Sequence, residues 1–183
     1  MNKDPAKRPA AYFITFTTYG TWLHGNEKTS VHVKNNQFLT PKIKHHPLLL
    51  QSMQKKLKHH PFILTSSDRK IVLQQLIETC DFCQWELYAA HVRTNHVHIV
   101  IEAADFAEHM MTKIKAYASR RLNKIYGDTI KKFWSRHGST RYIWSREFLF
   151  PAMKYVIEEQ GKKMACFHQP WYSELLKHEN WDY

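Results

Sequence analysis

Two histidines two positions apart, His96 and His98, stand inside the alternating run Thr94-Asn95-His96-Val97-His98-Ile99-Val100-Ile101. On a pleated strand residues i and i+2 share a face, so the two imidazoles project side by side while Val97, Ile99 and Ile101 face the other way. Neutral imidazoles on a strand anchored by its apolar face make a rigid pair of metal ligands. One carboxylate or amide from another element would complete a site with positions open to substrate and water. Taken alone, such a pair is more often two histidines on a half-exposed sheet face, so its meaning depends on what the rest of the chain brings to it.

The segment 145–160 brings a hydroxyl and carboxylates. Ser145 suits an N-cap, Gly161 a stop, and Pro151 is tolerated only in a first turn, so a helix is expected from Ser145, or from about Phe150, to Gln160. Met153, Val156 and Ile157 form its packed side, and Tyr155, Glu158 and Glu159 share another face at i, i+3 and i+4.

Charge narrows the partner. The chain carries 27 Lys plus Arg against 16 Asp plus Glu, a formal +11, which points to a polyanion. Residues 131–146 interleave Lys131, Lys132, Arg136, Arg141 and Arg146 with Phe133, Trp134, Tyr142 and Trp144. Cations for phosphates and rings for bases are what single-stranded nucleic acid requires, although a charged edge strand has the same composition. Lys113, Arg120 and Lys124 add to the basic set from a helix expected over 106–125. No apolar run approaches a membrane span and the start lacks a signal-peptide core, so a cytoplasmic protein without a membrane partner is expected. Three cysteines, an odd number, argue against a disulfide framework, and Cys80, Cys83 and Cys166 read as apolar packing rather than a zinc site.

The elements that must position these groups follow from pattern. Strands are expected over 11–19, 84–92, 96–102 and 140–144, with a hairpin turn at Arg93-Thr94-Asn95, and a helix with Thr65, Ser66 or Ser67 as its cap carries Leu73, Leu76, Ile77 and Cys80 inward. Residues 1–10 read as a loose tail, 23–62 as an insertion, and 161–183 as a C-terminal extension of one domain spanning 1–183. The order suggests an α+β ferredoxin-like sandwich: an antiparallel sheet with its helices mainly on one face and the Tyr155 helix on or near the other.

At these residues the chain resembles the HUH single-tyrosine transposases of simple insertion sequences, including the REP-associated tyrosine transposases. The resemblance rests on Asn95-His96-Val97-His98, on Tyr155 following an aromatic and basic segment, and on Thr17-Thr18-Tyr19-Gly20-Thr21-Trp22-Leu23. It implies a DNA transposase that cuts and rejoins single-stranded DNA, including hairpin element ends, through a 5′-phosphotyrosine on Tyr155. It also implies Mg²⁺ or Mn²⁺ held by the histidines and a third ligand, and it leaves room for a homodimer. Members of that family often place a glutamine four residues after the tyrosine; here that position is Glu159, and the glutamine is Gln160. Because i+5 swings about 140° away on a regular helix, Glu159 is the expected ligand and Gln160 requires a distorted helix. The DNA-binding set expected with it is Lys113, Arg120, Lys124, Lys131, Lys132, Trp134, Arg136 and Arg141. Two alternatives are a non-catalytic nucleic-acid binder derived from such a transposase and a histidine-dependent phosphoesterase. A histidine-triad form of the latter wants a further histidine where Val100 stands.

Overall fold

Alternation of apolar and polar residues produces the sheet. The computed structural model describes residues 8–23, 46–130 and 132–179. Lys131, most of the expected insertion (24–45), the tail residues 1–7 and 180–183 at the end of the extension lie outside them. Strand β1 (Ala11–Thr18), β2 (Glu86–Val92), β3 (His96–Glu102), β4 (Trp134–Ile143) and β5 (Ala165–His168) form one antiparallel sheet in the order β4-β1-β3-β2-β5. The first four strands take the ferredoxin-like order, and β5, for which the sequence offered no placement, extends the edge beside β2.

Helix α1 (Pro47–Lys55) is a short outlying piece, opened by the His46 ring, which accepts from the Leu49 amide as its N-cap. Helix α2 (Ser66–Cys83) begins with a capping box in which Thr65 and Asp68 satisfy each other's backbone amides. With α3 (Ala107–Tyr126) it covers one face of the sheet. Tyr12, Ile14 and Phe16 of β1 and Val97, Ile99 and Ile101 of β3 pack there against Val72, Leu76, Met110, Ile114 and Leu122. Cys80 is buried in that layer, where burial pushes its thiol up to about 12, as apolar packing predicts.

Strand β4 starts at Trp134, six residues before the expected start at Thr140. The reason is Gly138, a residue that discourages strand assignment in a sequence. A Cβ there would collide with the Met111 sulfur and the Thr15 carbonyl oxygen, so glycine is what lets the strand run under α3 and beside β1. Lys115 secures the same strand, donating from its ammonium to the carbonyls of Ser135 (3.0 Å) and His137 (3.1 Å).

The other face of the sheet carries a second, smaller core. Helix α4 (Leu149–Ile157) and α5 (Pro170–Glu179) lie there, with Leu149, Met153, Val156, Ile157 and Tyr172 against Ala11, Tyr88, Ala89, Val100 and Ile143. Both layers match the expected arrangement, with the Tyr155 helix alone on the histidine side until α5 joins it.

Candidate active site

Strand β3 lies between β1 and β2 and aims His96 and His98 at the α4 side, while Val97, Ile99 and Ile101 are fully buried under α2 and α3. Register places Thr15 of β1 and His91 of β2 on either side of His98, and Thr17 beside His96. The two imidazole centroids are 4.7 Å apart. His98 stacks on Phe13 (5.5 Å, 22°), and the Tyr155 ring meets both edge-on, 5.8 Å from Phe13 and 6.0 Å from His98. Tyr155 is 43% exposed, so its hydroxyl-bearing ring stands beside the histidines and open to a substrate.

Hydrogen bonds fix the imidazoles. His96 Nδ1 lies 2.7 Å from Asn95 Oδ1, an acceptor, so Nδ1 carries the proton and Nε2 keeps the lone pair of the ring. His98 Nδ1 meets Thr15 Oγ1 at 2.7 Å and its Nε2 meets Gln160 Oε1 at 3.1 Å. Since the Gln160 Nε2 donates to the Tyr155 carbonyl (3.0 Å), its oxygen is the atom turned to His98, and His98 donates from Nε2 while Thr15 donates to Nδ1. Burial first and the adjacent His96 second push the His98 imidazole down to about 3, so it is neutral at physiological pH.

Gln160, not Glu159, is therefore the side chain that meets His98, and the reason is where the helix ends. In a helix continuing to Gln160 the carbonyls of Tyr155 and Val156 would accept from the amides of Glu159 and Gln160. Side chains take them instead: Gln160 Nε2 donates to Tyr155 O, and His91 Nδ1 contacts Val156 O at 2.8 Å. The helix closes at Ile157 with the Glu158 amide on Lys154 O, and a turn over 158–160 swings Gln160 back toward the sheet. Glu159 is left exposed, and Glu158 pairs with Lys163 at 2.9 Å.

His91 is fully buried and joins three elements. Val156 O can only accept and the Met164 amide only donates (3.1 Å), so the ring is the neutral Nδ1–H tautomer bridging the end of α4 to the approach to β5. The start of α4 has its own anchor: Tyr88 donates to Glu102 at 2.5 Å, and Arg146, in the 3-10 turn Arg146–Phe148 that feeds the helix, pairs with the same carboxylate at 3.2 Å. Neither clamp has a sequence motif. The first joins β2 to α4 and the approach to β5, and the second depends on the pairing of β2 with β3.

The expected DNA-binding set divides. Arg141 alone among its described members lines the cavity of about 680 Å³ that opens beside Tyr155 and His98. Lys113, Arg120 and Lys124 sit on α3, on the opposite face of the sheet, with Lys113 over the Trp85 ring and Arg120 over Tyr117. Trp134 is buried and donates its indole N–H to Lys115 O (3.2 Å), so it is packing and offers no face to a base. Lys132 lies over the Tyr19 ring, Arg136 is exposed on β4, and Lys131 is outside the described residues.

Fold and site together define an α+β sandwich domain in which a histidine pair and a tyrosine meet on one side of the sheet. The family model described as Transposase IS200 like matches residues 54–160, more than half of the chain, and the chain belongs to that family. The matched stretch runs from the end of α1 to Gln160 and includes both histidines and Tyr155. No curated protein sequence matches. A solved structure of a REP-associated tyrosine transposase bound to a REP hairpin is similar with a TM-score of 0.46 and 12% identity, covering 87% of this chain and 71% of that one. Among the described residues no helix is long and apolar enough to cross a membrane.

Proposed function

We propose that this member of the transposase family cuts and rejoins single-stranded DNA, with Tyr155 as nucleophile and a divalent ion held by His96, His98 and Gln160. The observation that carries the reading is the meeting of Gln160 Oε1 with His98 Nε2 beside the Tyr155 ring. Among the described residues no three His, Cys, Asp or Glu side chains cluster as a metal site, but two imidazoles and an amide oxygen are a competent donor set. Nitrogen ligands favour Mn²⁺ over Mg²⁺.

Each side chain then has a stated task. His96, with its proton held on Nδ1 by Asn95, is the tautomer that coordinates an ion through Nε2. His98 offers its own once the proton resides on Nδ1, with the Thr15 oxygen rotating from donor to acceptor. A bound ion would offset the charge that builds on the phosphate oxygens. Tyr155 Oη attacks phosphorus in line, the bond from phosphorus to the 3′-oxygen breaks, and the phenolic proton passes to water as the departing oxygen takes one up. A 5′-phosphotyrosine and a free 3′-hydroxyl remain, and the reverse attack by a 3′-hydroxyl rejoins a strand.

The test is incubation with single-stranded DNA and Mn²⁺, followed by denaturing electrophoresis and peptide mapping. The native chain is expected to give a covalent adduct on Tyr155, and Tyr155→Phe none. An adduct mapped to another tyrosine rejects this assignment, and binding without any adduct leaves a nucleic-acid binder.

A further inference from the structure

The cavity beside Tyr155 is not accounted for by the ion and the nucleophile. Its far wall is aromatic: Trp144 is 63% exposed, Phe148 59% and Tyr142 51%. Phe13 and Arg141 complete the lining toward the histidines. Three large rings left more than half in water around one concavity are costly unless something covers them, and clustered exposed apolar surface marks an interaction site. Tyr142 lies 5.7 Å from Trp144 at 34° and meets Tyr12 edge-on at 5.5 Å, so it braces Trp144 from the side of the sheet away from the histidines and leaves Trp144 and Phe148 as the exposed faces beside which a flat group could lie.

We propose that this wall takes one unpaired nucleobase of the DNA strand, next to the phosphate that Tyr155 attacks; the inference rests on the function proposed above. Continuity chooses the occupant. The same cavity is lined by His98, Tyr155 and Arg141, so a group held there belongs to a molecule whose phosphate reaches the histidines and whose charge suits a guanidinium and a chain of formal charge +11. The volume, about 680 Å³, lies within the range of roughly 300–1,000 Å³ that encloses small organic groups. A base within a duplex is stacked on both faces and has no surface to offer. An unstacked base does, and aromatic stacking holds any of the four without reading its edge. The pocket thus explains how a site on one face of a sheet could favour single-stranded over paired DNA around the reacting phosphate.

The test is fluorescence anisotropy with two labelled probes, a 20-mer of thymidine and a 20-mer of abasic sugar-phosphate, against the native chain, Trp144→Ala and Phe148→Ala. The native chain should prefer the thymidine strand. Trp144→Ala should weaken that strand by about five- to a hundredfold, the span of one aromatic stacking contact, and leave the abasic strand unchanged. Trp144 is exposed, and melting of the variant should match the native chain. Equal losses on both probes, or no loss on either, would overturn the proposal. So would self-association that Trp144→Ala abolishes without a base-dependent effect, since a second copy would then be the occupant. Base-dependent binding that survives in a protein forming no tyrosine adduct would retain the pocket and reject the cleavage reading.

Discussion

The two faces of β3 are built from adjacent residues and answer to different demands. Val97, Ile99 and Ile101 are fully buried under α2 and α3, in a layer of interlocked aliphatic and aromatic side chains. His96 and His98, one step along the same strand, meet a hydroxyl, two amides and a tyrosine ring, with a cavity alongside. The first face is held by area removed from water, which tolerates small displacements. The second is held by directional hydrogen bonds, and each bond decides which atom of a ring carries the proton. Fold and chemistry are thereby separable in one strand.

Substitutions should break that separation unequally. The largest effect is expected from Ile99→Ala, which leaves a cavity in the main core and should cost about 2–5 kcal/mol, taking DNA processing down with the fold. Chemical denaturation measures it. Tyr155→Phe is the counterpart, with an unchanged unfolding midpoint and no covalent adduct.

His91→Leu comes next. It strands the Val156 carbonyl and the Met164 amide in the interior and should cost about 1–3 kcal/mol. It should also loosen the turn that delivers Gln160, so Mn²⁺ affinity falls although His91 touches no ion. A variant that unfolds more easily but binds Mn²⁺ normally would confine His91 to stability.

Acid should reveal the same polar face. Burial lowers both His91 and His98, the latter to about 3, from a reference near 6.5. Between the folded and unfolded values only the unfolded chain binds the protons, so stability of the metal-free protein falls as pH drops below about 6.5, and the His98 share is complete only near pH 3. Melting across that range should slope downward, and His91→Leu should slope less.

Thr15→Val is the finest probe. It keeps the shape of the residue beside His98 Nδ1 and removes the oxygen that would accept its proton, so Mn²⁺ affinity should fall by about ten- to a hundredfold with little change in melting. Calorimetric titration resolves it, and unchanged affinity would mean that the tautomer of His98 is set elsewhere.

Legibility in the sequence follows the same division. Period-two alternation over 96–102 was enough to assign which residues of β3 face the helices, and apolar spacing located α2, α3 and the packed side of α4. A glycine obscured β4, because a residue that weakens a strand pattern is here demanded by the approach of Met111 and Thr15. The end of α4 was hidden for a different reason. Helical periodicity selects Glu159, and what overrides it is the capture of two backbone carbonyls by His91, distant in the sequence, and by Gln160, the last residue of the expected helix. The expected DNA-binding residues divide for a similar reason: composition groups Lys113, Arg120, Lys124 and Trp134 with Arg141, whereas the sheet separates the three basic residues of α3 from it and Trp134 is buried.

The central claim is that this early helix end turns Gln160 to the histidines and makes three side chains into one ion site beside Tyr155. Mn²⁺ titration of Gln160→Ala beside Glu159→Ala tests it most directly. The geometry predicts that Gln160→Ala loses at least about tenfold in affinity while Glu159→Ala binds like the native chain. The reverse pattern, with Glu159→Ala impaired and Gln160→Ala unaffected, would contradict it.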